Sequence, residues 1–169
     1  MDIIKKLDLL RNHGGTARTT GLSDEVIRDF AARDPKLVQA IDSAWEAFQE
    51  LQESEPEILA MDEAAQASAV QEGLVNFYPE DAVNPYVSLA GAGPWLVTMK
   101  GAVLFDCGGY GMLGLGHVPE VVLEAMNKPH VMANVMTPNI SQRRLLDALK
   151  NEIGHSTGRQ PYSSFVCLN

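Results

Sequence analysis

The chain has 169 residues, 46% hydrophobic and 21% charged, and its 13 basic and 22 acidic side chains give a net charge of −9. That length suits one globular domain, or one domain with a helical extension, and the apolar content is too high for a disordered chain. No window approaches the roughly 18 apolar residues of a membrane span, and the start Met1–Lys6 is amphipathic rather than a signal peptide. The acidic balance argues against nucleic acid or anionic lipid as the main partner.

Charge and glycine are unevenly spread. Residues 1–80 carry 7 basic and 16 acidic side chains, residues 81–169 carry 6 of each, and ten of the 14 glycines follow residue 90. The sequence therefore predicts two regions meeting near Pro79–Pro85: an acidic helical extension over 1–80 and a second region over 81–169.

In the first region, Ile3, Ile4, Leu7 and Leu10 recur at helical spacing until Gly14-Gly15. Ser23 is placed to cap a short helix carrying Val26 and Phe30. Asp34-Pro35 reads as an N-cap followed by proline at the first helical position, and Val38, Ile41, Trp45, Phe48 and Leu51 then mark one face of a long helix. Glu55-Pro56 restarts a helix expected to run through Ile58, Leu59, Met61, Ala65, Val70 and Leu74.

The second region reads as short strands and capped helices. Tyr86–Leu89 and Trp95–Val97 are apolar runs, and Thr98–Gly101 predicts a tight turn into Val103–Phe105, hence a β-hairpin. Pro119 opens a helix with Val121, Val122, Ala125 and Met126. Pro138–Ser141 opens another, with Leu145, Leu146, Leu149 and Ile153 expected inward and Gly154 at its exit. Ser163–Leu168 reads as a strand. The order fits entry into an α/β domain. The last residue, Asn169, falls at a strand end, where such sheets bind ligands, so the chain is expected to be the first part of a longer protein.

Motifs carrying chemistry are sparse. Gly109–Gly114 fits G-x-G-x-x-G, but the next helix starts only near Pro119 and residues 127–134 hold no acid for a ribose, so nicotinamide binding is a poor reading. His13, His117, His130 and His155 lack metal-ligand spacing, with His117 expected in a loop or at a helix start. No nucleophile motif occurs, and Asn139–Ser141 is a glycosylation sequon in form only. Cys107 and Cys167 have no partner motif, which points to free thiols in a reducing, cytoplasmic setting. None of Lys5, Lys6, Lys36, Lys100, Lys128 and Lys150 is expected in surroundings that depress its pKa.

The stretch from Gly93 through Lys100-Gly101 to Asp106, then Gly109-Tyr110-Gly111 and Gly116-His117-Val118-Pro119, resembles the N-terminal segment of class III (ornithine/GABA-type) aminotransferases. Met136–Asn139 with Leu145–Leu149 resembles the next helix of that family, and Ser164–Asn169 the strand after it. The resemblance covers residues 84–169. Gly116–Pro119 is one residue shorter than the family motif and lacks its second histidine, and residues 1–80 have no counterpart.

The resemblance implies the start of a fold-type I transferase domain. It implies pyridoxal 5'-phosphate as cofactor, an amino donor and a keto acid or aldehyde as substrates, and a homodimer. In that chemistry the cofactor is the electron sink and a lysine moves the proton. The lysine, the phosphate loop and the aspartate at the ring nitrogen lie downstream of Asn169 in the family order, so no catalytic or cofactor-binding residue is assigned here and the chain alone is expected to be inactive. The substrate wall would comprise Tyr110, Gly109 and Gly111, with Gly108 beside them, and Trp95 at the entrance; Tyr110 reads equally as a packing residue on a loop, and a hairpin tryptophan such as Trp95 is more often a core residue. The rival expectation is a non-catalytic module whose helices over 23–76 bind a protein partner.

Overall fold

The structure is a computed structural model that describes all residues except 76, 80, 81, 108–113, 132–135, 156, 157, 160 and 167–169. The chain divides into two compact units, Met1–Ala125 and Met126–Asn169. Helices and a small antiparallel sheet make it a mixed α/β chain. No described helix is long and apolar enough to cross a membrane.

Helix starts in the first unit follow local cap chemistry. Asp2 accepts the N–H of Ile4 ahead of α1 (Ile3–Arg11), Ser23 accepts from Val26 ahead of α2 (Asp24–Ala31), and Asp34 accepts from Lys36 ahead of α3 (Pro35–Ser54). A cap of this kind is worth about 0.5–2 kcal/mol, because it satisfies an otherwise orphaned donor. The helix expected from Glu55-Pro56 is instead two, α4 (Pro56–Ala60) and α5 (Glu63–Gln71). The break falls at Met61-Asp62, where the Asp62 carboxylate is drawn away to Thr16, accepting its N–H at 2.6 Å and its O–H at 2.7 Å.

The hairpin forms as the sequence predicts. β2 (Trp95–Thr98) pairs antiparallel with β3 (Val103–Phe105), Trp95 opposite Phe105 and Val97 opposite Val103. The turn closes with Gly101 N–H donating to Thr98 O, and Gly101 takes φ +71°, a backbone that favours glycine. The preceding strand, β1 (Ser88–Ala92), lies two residues later than the apolar run Tyr86–Leu89 suggested and pairs with the other edge of β2, giving the order β1-β2-β3. Ahead of α2, Leu22 N–H bonds Val103 O, so the loop runs along β3.

Helix α3 packs on β1 and β2 and on α1, α2 and α4. Its buried face is Leu37, Ala40, Ile41, Ala44 and Phe48, with Trp45 and Leu51 only partly covered. All four β2 residues are buried. The core therefore joins side chains from residues 4–59 to others from 92–103. The change in charge near Pro79–Pro85 is a step in composition, and the acidic helices and the sheet share one core.

Helix α6 (Glu120–Met126) follows Pro119 as expected and buries no residue. In the second unit, α7 (Ile140–His155) runs through Gly154, where an exit was expected. Leu146, Leu149 and Ile153 are half-buried on α7, but Leu145 is 50% exposed, contrary to its expected inward position. Residues 163–166 of the expected strand Ser163–Leu168 carry no strand assignment, with Val166 82% exposed; a strand needs a paired edge, and the only sheet among the described residues is β1-β2-β3.

Candidate functional site

Four of the residues that carry the motif resemblance, Gly93, Asp106, Gly116 and His117, come together where β1 turns into β2. Gly93 and His117 exchange both backbone hydrogen bonds, Gly93 N–H to His117 O at 2.9 Å and His117 N–H to Gly93 O at 2.7 Å. The His117 ring nitrogen Nε2 lies 3.0 Å from Asp106 Oδ2, and Asp106 N–H donates to Pro94 O at 2.7 Å. The result is a clasp that holds the two ends of segment 107–116.

Two glycines make the clasp possible. A Cβ on Gly116, whose φ is +75°, would lie 2.7 Å from the Gly93 backbone, and a Cβ on Gly91 would lie 2.9 Å from His117 Cγ. Val118, next to the clasp, takes φ 51°. For a β-branched residue that conformation costs on the order of 1–3 kcal/mol, which the surrounding contacts must offset.

The clasp borders a cleft of about 290 Å³ lined by Gly93, Pro94, Asp106, Gly114, Leu115, Gly116 and His117. His117 and Asp106 side chains are 22% and 26% exposed. A carboxylate on one ring nitrogen orients a histidine and sets its tautomer: with Nε2–H donating to Asp106, neutral His117 would keep Nδ1 as an acceptor. Burial first, and the Asp106 charge second, push the nearby Tyr86 phenol up. Asp106 and His117 are the polar side chains that line the cleft, among glycines, Pro94 and Leu115. Cys107, which follows Asp106, is a free, exposed thiol.

Of the expected substrate-wall residues, Gly109, Tyr110 and Gly111, with Gly108, lie outside the described residues. Trp95 lies in the core at 1% exposure. Its indole N–H donates to Asp34 Oδ2 at 2.7 Å, and its ring meets Phe30 and Phe105 edge-on. No face of that indole is open to a substrate in this structure. His117, read as a loop or helix-start residue, lies in the connection between β3 and α6 and makes an isolated bridge to Gly93 in the β1–β2 turn. The hint in the sequence was its position between Gly116 and Pro119.

Lys100 departs from expectation. It sits in the hairpin turn, yet it is 3% exposed, with Nζ donating to the carbonyls of Gly14 at 2.5 Å and Leu59 at 3.0 Å. Loss of solvation holds its pKa below the ordinary lysine value, with Asp62 and Glu63 acting in the opposite sense. Its role is to tie the turn to two carbonyls far away in sequence.

Lys100→Met keeps much of the stem volume but leaves the Gly14 carbonyl without this donor, while Leu59 O retains the Gln66 amide at 3.2 Å. The expected loss at neutral pH is about 1–3 kcal/mol. A depressed lysine pKa means the native state loses this proton first. The stability of the parent relative to Lys100→Met should then grow as pH rises through the folded value toward the unfolded value of about 10.4. Urea midpoints of both proteins across that range check it, and a difference that shrinks with rising pH would exclude desolvation as the dominant influence.

No protein-family model, no curated protein and no solved structure matches this chain.

Proposed function

We propose that this chain is part of a class III, fold-type I, pyridoxal-phosphate-dependent aminotransferase that moves an amino group from an amino donor to a keto acid or aldehyde. On this reading it works as a cytoplasmic homodimer, and this chain supplies one wall of the substrate site. The observation that supports the reading is the clasp. Gly93, Asp106, Gly116 and His117, which the motif resemblance singles out across 25 positions of sequence, are brought into direct contact, and they bracket the segment bearing Gly109, Tyr110 and Gly111.

The described residues do not themselves fit the cofactor. The buried amine of Lys100 is engaged by two carbonyls with Asp62 and Glu63 close by, an acidic setting that disfavours a phosphate. The reading therefore assigns no catalytic lysine to these 169 residues, and their part is positional: Asp106 orients His117, and His117 with Gly93 fixes the ends of the wall. The rival reading, a helical partner-binding module, has less support, because the apolar face of α3 that would serve it is covered by the chain's own β1 and β2.

The product of the intact gene, saturated with pyridoxal phosphate, should become labelled on one lysine after borohydride treatment and should transfer an amino group from an amine donor to a keto acid. The 169-residue chain alone should do neither. A gene product negative in both assays overturns the proposal, and specific labelling of a lysine within residues 1–169 overturns its placement of the catalytic amine.

A further inference from the structure

A second group of polar side chains lies away from the clasp, where α5, the loop after α1 and the hairpin turn meet. Glu63 and Gln66, three residues apart on α5, are 1% and 0% exposed. Glu63 Oε2 accepts the backbone N–H groups of Arg18 at 2.6 Å and Thr19 at 2.7 Å. Gln66 Nε2 donates to the carbonyls of Ile58 at 3.0 Å and Leu59 at 3.2 Å, and two carbonyl acceptors fix which end of the amide is nitrogen. The Leu59 carbonyl is also a partner of Lys100 Nζ. Thr19 is thus bonded to Glu63, Gln66 and Lys100 share the Leu59 carbonyl, and the Glu63 charge acts on Lys100.

Three oxygens of this group, Thr19 Oγ1, Glu63 Oε1 and Gln66 Oε1, are buried with no hydrogen-bond partner among the described residues. Leaving each unmade would cost about 1–3 kcal/mol, and buried polar atoms in folded proteins are nearly always paired. We infer that one internal water binds here, accepting from Lys100 Nζ and Thr19 Oγ1 and donating to Glu63 Oε1 and Gln66 Oε1.

The donor and acceptor count supports this occupant. An ammonium has three N–H donors, and Lys100 uses two of them on Gly14 and Leu59. A threonine hydroxyl can supply the second donor, and the carboxylate and amide oxygens are acceptors, which gives a water its full four bonds. A metal ion suits the site less well, because the Lys100 ammonium already places positive charge beside Glu63. The water would join three segments distant in sequence, and it owes nothing to the aminotransferase reading.

Thr19→Val tests the inference by the sign of its effect. The substitution is close in shape and leaves the Thr19 N–H to Glu63 in place. With the water bound, it removes one of the water's partners, and the thermal midpoint falls by roughly 2–6 °C. With no water, it removes a buried hydroxyl that has no partner, and a midpoint that stays or rises overturns the inference. A crystal structure of the chain should show one density peak within hydrogen-bond distance of all four groups, unchanged between sodium and potassium salts. A peak that tracks the salt, or a direct Glu63–Gln66 contact in its place, also overturns it.

Discussion

Trp95→Ala is expected to lower the unfolding free energy by about 3–5 kcal/mol, the range for deleting a large aromatic side chain from a core. Trp95 is the largest fully buried side chain among the described residues. It packs edge-on against Phe30 and Phe105 and bonds Asp34, whose other carboxylate oxygen accepts the Lys36 N–H at the start of α3. The indole thus joins the hairpin to the start of the longest helix. Trp95→Phe keeps most of the ring but leaves Asp34 Oδ2 without its donor, and should cost about 1–3 kcal/mol. Denaturant titrations read both, with Trp45 remaining as the fluorescent probe. A substrate-lining tryptophan would behave otherwise, with Trp95→Ala leaving stability within about 0.5 kcal/mol, as surface substitutions do.

Gly116→Ala should cost about 2–4 kcal/mol, whereas Gly114→Ala, two residues away, should change stability by no more than about 0.5 kcal/mol. The contrast comes from backbone geometry. Gly116 has φ +75° and would carry its Cβ into the backbone atoms of Gly93, which cannot swing aside as a side chain can; a Cβ on Gly114 meets nothing within 4 Å among the described residues. The loss at Gly116 should be accompanied by faster amide exchange at Gly93 and His117, whose N–H groups make the bridge. Equal effects at the two glycines would mean that the bridge does not hold the clasp.

The features legible in the sequence were those set by neighbouring residues. Asp2 is a cap in the structure, as are Ser23 and Asp34, which the sequence marked. The hairpin turn at Thr98–Gly101 is equally local. What escaped notice was fixed at a distance. Met61-Asp62 contains neither glycine nor proline, so an apolar stripe ran through it unbroken; in the structure both residues are extended and Asp62 bonds Thr16, 46 residues earlier. Lys100 looked like an ordinary turn lysine because both of its acceptors, Gly14 and Leu59, lie 86 and 41 residues away. At the clasp, the motif resemblance flagged Gly93, Asp106 and His117 individually. Their mutual contact depends on how β1, β2 and β3 pair, which spacing alone does not reveal.

The dependence of α3 on β1 and β2 also bears on synthesis. Leu37, Ile41, Ala44 and Phe48 leave the ribosome well before residues 88–98, the strands that cover them. At about 5–20 residues per second, a lag of some 40 residues leaves that apolar face without its cover for roughly 2–8 s. For that interval the nascent chain presents a sticky surface, and a holding chaperone that recognises apolar helices would find its target there.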